Sequence, residues 1–125
     1  MSKCSGRSFM KEDNLIVGKS KAFAIRIIRL YRHLSEEKKE FVLSKQVLRS
    51  GTSIGANVRE AVSAQSKADF IAKMQIALKE ASETEYWLEL LQETEYISEK
   101  AGTSMIADCK ELLKVITAII KTAKE

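Results

Sequence analysis

Proline is absent from all 125 residues, while apolar side chains recur at intervals of three and four from about residue 15 onward. Proline is the usual helix stop and loop former, so a chain without it is free to run as long helices. Apolar residues at that interval line one face of a helix, and no segment competes with the two-residue period of a strand. Five glycines and two cysteines exclude collagen-like, linker-rich and disulfide-scaffold classes. The length sets one domain, large enough to bury roughly two thirds of the unfolded surface without a metal or disulfide staple.

Residues 1–14 are polar, lack sustained periodicity and read as a flexible leader, leaving 15–125 for the domain. A first helix is expected from Leu15 or Lys19 to Leu34, with Phe23, Ile27, Leu30, Tyr31 and Leu34 on its buried face. Ser35 looks like an N-cap, with Glu36 and Glu37 in the first turn where the helix dipole favours them. The second helix then runs from about Glu36 to Ala64, with Val47, Gly51, Ile54, Val58 and Ala61 as its stripe, preceded by Phe41 and by Leu43 or Leu48. Gly51 and Gly55 inside it, with Ser50, Ser53 and Ala56, make a small-residue surface for close helix approach. A break at Ser50–Gly55 is the rival reading. Ser66 and Asp69 resemble a capping box opening a third helix to about Tyr96, with Phe70, Met74, Ala77, Ala81, Leu88 and Leu91 buried. Gly102, Thr103 and Ser104 mark the last turn. The fourth helix then places Met105 or Ile106, Cys109, Leu112, Leu113, Ile116, Ile119, Ile120 and Ala123 in register. Four such helices on short loops predict an all-α, antiparallel up-down-up-down four-helix bundle.

Catalytic and metal chemistry find no foothold. A di-iron bundle needs Glu-x-x-His on two helices, and the single histidine, His33, follows Leu30 by three positions. One histidine with Cys4 and Cys109 far apart builds no zinc site. His33 reads as a capping or surface residue, and Cys109 as a reduced core thiol. Gly51-Thr52-Ser53-Ile54-Gly55 lacks the Gly-Lys ending and preceding strand of a phosphate loop. The acids Glu80, Glu83, Glu85, Glu89, Glu93, Glu95 and Glu99 read as a solvated or intersubunit face. No cofactor, metal, small-molecule substrate or enzymatic activity is expected. No apolar run of membrane-spanning length and no signal core is visible, so a cytoplasmic protein is expected.

Charge is the informative property. Residues 1–59 carry 13 Lys/Arg against 5 Asp/Glu, and residues 60–125 carry 8 against 12. Lys19, Lys21, Arg26, Arg29 and Arg32 on the first helix, with Lys45, Arg49 and Arg59 on the second, are the candidate surface for neutralising phosphates. Phe23, Tyr31 and Phe41 read as core, so contacts to backbone, not base stacking, are expected. The alternative is an assembly or adaptor protein whose basic half meets the acidic third helix of another subunit.

The segment from Leu43 to Leu91, with Gln46, Arg49, Ser53-Ile54, Asn57, Glu60, Ala77 and the run Glu80 to Leu91, resembles the family of four helix bundle proteins encoded by intervening sequences of bacterial 23S rRNA genes. The resemblance extends from about Lys11 to the end of the chain. It implies the bundle fold and a homo-oligomer. Related accessory proteins of diversity-generating retroelements are described as homopentameric barrels with a basic, nucleic-acid-binding surface, so a pentamer and an RNA or DNA partner are expectations by resemblance. Two departures stand out. Arg59-Glu60-Ala61 replaces the common Ala-Glu-Gly, and a proline often found near the start of the second helix is missing. Asn57 and Glu60 match the family pattern and are read either as functional or as a polar pair satisfying backbone where helices cross. Since the resemblance starts near Met10, that residue is a candidate natural start.

Overall fold

The described part of the computed structural model is residues 11–125, with side chains from Asp13 onward. Four helices occupy nearly all of it: α1 (Lys11–Arg32), α2 (Leu43–Val62), α3 (Lys67–Glu93) and α4 (Glu99–Lys124). Each packs on its neighbours in sequence, and α4 closes the ring on α1. Cross-helix pairs run in opposite senses of numbering. Glu60 meets Lys73 while Arg49 meets Glu80 and Glu83, and Lys19 meets Glu111 while Arg26 meets Asp108. The arrangement is the antiparallel up-down-up-down bundle that the periodicity predicts.

The core is the set of stripes read from spacing. Phe23, Ile27, Leu30 and Leu34 from α1 and its continuation meet Val47, Ile54, Val58 and Ala61 of α2. Opposite them lie Phe70, Met74, Ala77, Ala81, Leu88 and Leu91 of α3, and Met105, Cys109, Leu112, Ile116, Ile119 and Ile120 of α4. The glycines of α2 do not break it. A β-carbon on Gly51 would lie 2.7 Å from Ile27 Cγ1, and one on Gly55 would lie 3.4 Å from the Ser20 carbonyl oxygen. Gly51 therefore lets α1 and α2 approach more closely than alanine would, which offsets its helix-propensity cost of about 1 kcal/mol, whereas a β-carbon on Gly55 would make only ordinary contact. Cys109 is a buried thiol whose Sγ donates to the Ala81 carbonyl at 3.1 Å, and burial pushes its pKa up to about 12. Ser66 caps α3 by accepting the Asp69 N–H at 3.0 Å, as its spacing predicts.

Three boundaries differ from expectation. First, α1 starts at Lys11, so residues 11–14 are helical and Asp13 is buried; the candidate start at Met10, Cys4 and the rest of the leader lie outside the described residues. Second, Ser35 is not an N-cap. Its hydroxyl donates to the Tyr31 carbonyl at 2.8 Å inside a π-helical turn, His33–Glu37, which continues α1. Lys39 then adopts a left-handed φ of 54°, and Glu40 N–H bonds back to the Leu34 carbonyl at 2.9 Å. The cap of α2 is Glu40, whose carboxylate accepts the N–H groups of Val42, Leu43 and Ser44 at 3.2, 3.0 and 2.7 Å. Phe41, expected in the core, is therefore left outside it. Third, Gly102 is not in the last turn but in the first turn of α4, which Ser98 caps by accepting Ala101 N–H at 3.1 Å. The Gln92 side chain lies where a Gly102 β-carbon would stand. The turn itself falls at Thr94–Glu95, with Glu95 left-handed at φ 68°.

Candidate nucleic-acid interface

The eight basic candidates divide among three surfaces. On α1, Lys21, Ile25, Ile28 and Arg32 are spaced four, three and four apart and are all exposed, forming one outward stripe. On α2, Lys45, Thr52 and Arg59 recur every seven residues on its outward side. The close approach of Gly55 to Ser20 and of Gly51 to Ile27 sets these stripes side by side. Arg59 falls toward the Lys21 end and Lys45 toward the Arg32 end. Among the described residues these four cations have no carboxylate within ion-pair distance.

Lys19 and Arg26 turn toward α4 instead. Lys19 Nζ lies 2.9 Å from Glu111, and Arg26 Nη1 lies 2.6 Å from Asp108. Arg29 is exposed on the same side and lines a groove of about 690 Å³ with His33, Lys38, Glu95, Tyr96 and Met105. His33 is half-buried there, with Nδ1 3.4 Å from Glu37. Arg49 faces α3. Its guanidinium donates to Glu80 at 3.2 Å and to Glu83 at 2.5 Å, and Trp87 Nε1 donates to the same Glu83 oxygen at 3.0 Å. The indole donor and then the guanidinium hold the Glu83 carboxyl below its ordinary pKa, and Glu83 in turn raises that of Arg49. Beneath this clamp the buried hydroxyls of Ser50 and Thr84 hydrogen-bond across the α2–α3 seam at 2.8 Å.

Asn57 and Glu60 bond to different partners. Asn57 Nδ2 donates to the Ser53 carbonyl at 2.9 Å, one turn back in its own helix. Glu60 pairs with Lys73 of α3 at 3.0 Å, which raises the Lys73 pKa through that hydrogen bond. Each therefore has a structural partner, one within α2 and the other across the seam.

The chain matches the family model described as 23S rRNA-intervening sequence protein over residues 12–118. It belongs to that family. A crystal structure of a protein of unknown function from the S23 ribosomal protein family of Bacteroides thetaiotaomicron is 60% identical, with a TM-score of 0.87, covering 88% of this chain and 98% of that one. No curated protein matches.

Within this intervening-sequence family frame, the departure Arg59-Glu60-Ala61 acquires a location. Ala61 is buried, Glu60 bonds α3, and Arg59 adds an unpaired cation to the outward stripe of α2. Lys38, Lys39 and Phe41 were missed as surface candidates because Ser35 resembled a cap and drew them into a helix. The signal that could have found them is Glu40, three residues ahead of Leu43, a spacing from which a carboxylate can cap. No group of three or more His, Cys, Asp or Glu residues among those described is placed to hold a metal ion. None of the described helices is long and apolar enough to cross a membrane.

Proposed function

We propose that this family member is a non-enzymatic, homo-oligomeric bundle that binds the backbone of RNA or DNA through the outer surface of α1 and α2. The observation that carries the reading is the unpaired quartet Lys21, Arg32, Lys45 and Arg59 on one surface. Lys19, Arg26 and Arg49 of the same half are instead spent within the chain, each paired to acids of α3 or α4. Cations without internal partners are the ones free to displace counterions from phosphates. Contacts of this kind position a duplex without reading its sequence.

Self-association draws support from the outward stripe Leu15, Gly18, Ala22 and Ile25 on α1. Leu15 and Ile25 are 47% and 41% exposed, and a β-carbon at Gly18 would meet nothing within 4 Å. Inside one chain Gly18 only weakens the helix; against a neighbouring helix it permits backbone approach.

Charge reversal of Lys21, Arg32, Lys45 and Arg59 to Glu tests the surface. Affinity for a duplex should collapse while the circular dichroism spectrum is retained. Retained affinity would exclude this surface. The assembly alternative predicts instead that rising salt dissociates the oligomer in light scattering while no nucleic acid binds at any salt.

A further inference from the structure

The outward stripe of α1 has a counterpart on α3. Leu15, Gly18, Ala22, Ile25 and Arg29 recur at intervals of three and four, the spacing of a helix–helix seam. Ala72, Gln75, Lys79, Ser82, Tyr86 and Glu89 repeat those intervals along the outer face of α3, and all but the half-buried Glu89 are exposed. The two helices stand diagonally opposite in the bundle and run the same way. Their levels follow from the seams between them. Gly51 meets Ile27 while neighbouring Ser50 meets Thr84, so Ile27 is level with Thr84. By way of α4, Arg26 meets Asp108, and the next residue, Cys109, meets Ala81. Both routes bring the stripes into register, with Ile25 level with Ser82 and Arg29 with Tyr86. At that level the α3 face is hollow. Ser82 lies in a groove of about 740 Å³ bounded by Leu78, Lys79, Tyr86 and, from α4, Leu113. The α1 face projects there instead: Ile25 is exposed, and Gly18 and Ala22 are too small to hold a neighbour away. Charge follows the same register. Arg29 and Arg32 end the α1 stripe at the level of Tyr86 and Glu89, with Glu93 one turn on. Lys79, the cation of the α3 stripe, already stands beside Glu83 of its own helix.

We infer that the outer face of α3 receives α1 of a second copy of this chain, head to tail, with the copies side by side and the same way up. Ile25 fills the groove over Ser82, and Arg29 passes Tyr86 to meet Glu89. The contact uses different surfaces on its two sides, so each copy keeps one of each open for the next. Stripes in register give no rise from copy to copy, which is the condition for closing as a ring instead of climbing as a filament. A two-fold pairing of α1 with itself would give Lys21, Arg29 and Arg32 no acid to meet and would leave the α3 groove empty. Ala22 lies between Lys19 and Arg26, which turn toward α4, so the contact falls on the α4 side of the α1 outer face. Lys21 and Arg32 are left at its rim, beside α2. The inference rests on the self-association in the reading above and adds to it the other half of the interface.

The test uses the full chain with Cys4→Ser, carrying Ala22→Cys, Ser82→Cys or both, treated with a short bis-maleimide and run on a denaturing gel. Cys109 is buried and does not compete for the reagent. The two new cysteines together should give a ladder of cross-linked copies, and either alone should give none. A dimer from Ala22→Cys alone, or from Ser82→Cys alone, makes the contact two-fold and overturns the inference. A second pair of variants reads the charge. Arg29→Glu should convert the oligomer to monomer in light scattering with its circular dichroism spectrum unchanged, and adding Glu89→Lys to the same chain should restore the oligomer. An Arg29→Glu protein of parental size, or a double variant that stays monomeric, overturns the pairing of these two residues across the contact. An oligomeric parent whose double-cysteine form gives no ladder rejects this interface alone. A parent that is monomeric at every concentration rejects the self-association beneath it as well.

Discussion

Two glycines in neighbouring helices show how one residue type serves opposite purposes. At Gly51 a β-carbon would fall within 3 Å of three Ile27 side-chain atoms, and the branched isoleucine has no free end to swing aside. Gly51→Ala should lower stability by about 1 kcal/mol, overpacking of roughly 1–3 kcal/mol outweighing the helix-propensity gain. At Gly18 the same β-carbon enters open space, so Gly18→Ala should raise the stability of the dilute chain by about 0.5–1 kcal/mol. Paired urea titrations read both signs, and two shifts in the same direction would refute the contrast. The Glu83 carboxyl provides a pH prediction. Its pKa is lowered in the fold, so its contribution is fully present above the unfolded carboxylate value of about 4.3 and is lost as acid protonates it. Thermal midpoints of the parent and Glu83→Gln should therefore differ above about pH 5 and converge on acidification. A gap independent of pH would mean that the carboxylate charge is irrelevant to the clamp.

At the scale of elements, interior spacing was more legible than ends. The stripe Val47, Ile54, Val58 and Ala61 follows from helical period alone, because any other register would expose it. The start of α2 was not legible, since Ser35 with Glu36 and Glu37 has the composition of a helix start. Its hydroxyl instead bonds one turn back to Tyr31, and the role of cap passes to Glu40. Local composition permits both outcomes; burial of Leu34 within the π-helical turn accompanies the one adopted. Gly102 misled for a related reason. Glycine signals a turn from sequence, whereas here its missing side chain makes room for Gln92, whose Nε2 donates to the Glu99 carbonyl at 2.9 Å. The left-handed position that does end α1 is held by Lys39. Replacing it with glycine removes the β-carbon penalty of that conformation, so Lys39→Gly should stabilise the bundle by up to about 1 kcal/mol. A calorimetric midpoint below that of the parent would show that the lysine contributes contacts that outweigh its backbone strain.

At the scale of the whole molecule, the charge imbalance between the two halves is partly consumed by the fold. Basic residues of α1 and α2 facing α3 and α4 become internal ion pairs, individually of little worth at a surface but useful in fixing which helix faces which. The sequence made the basic half visible and left its division hidden. Lys19, Arg26 and Arg49 differ from Lys21, Arg32 and Lys45 only in helical angle, and the angle decides which cations meet an acid. Lys21, Arg32, Lys45 and Arg59 sit on the outer surface of α1 and α2. The most direct measurement is the salt dependence of duplex DNA affinity for the parent chain and for the Lys21, Arg32, Lys45 and Arg59 reversal. With four phosphates neutralised per protomer, the log–log slope should be about −3.6 for each protomer engaged, and it should shrink toward zero in the variant. Equal slopes in the two proteins, or no binding by the parent at low salt, would contradict the account.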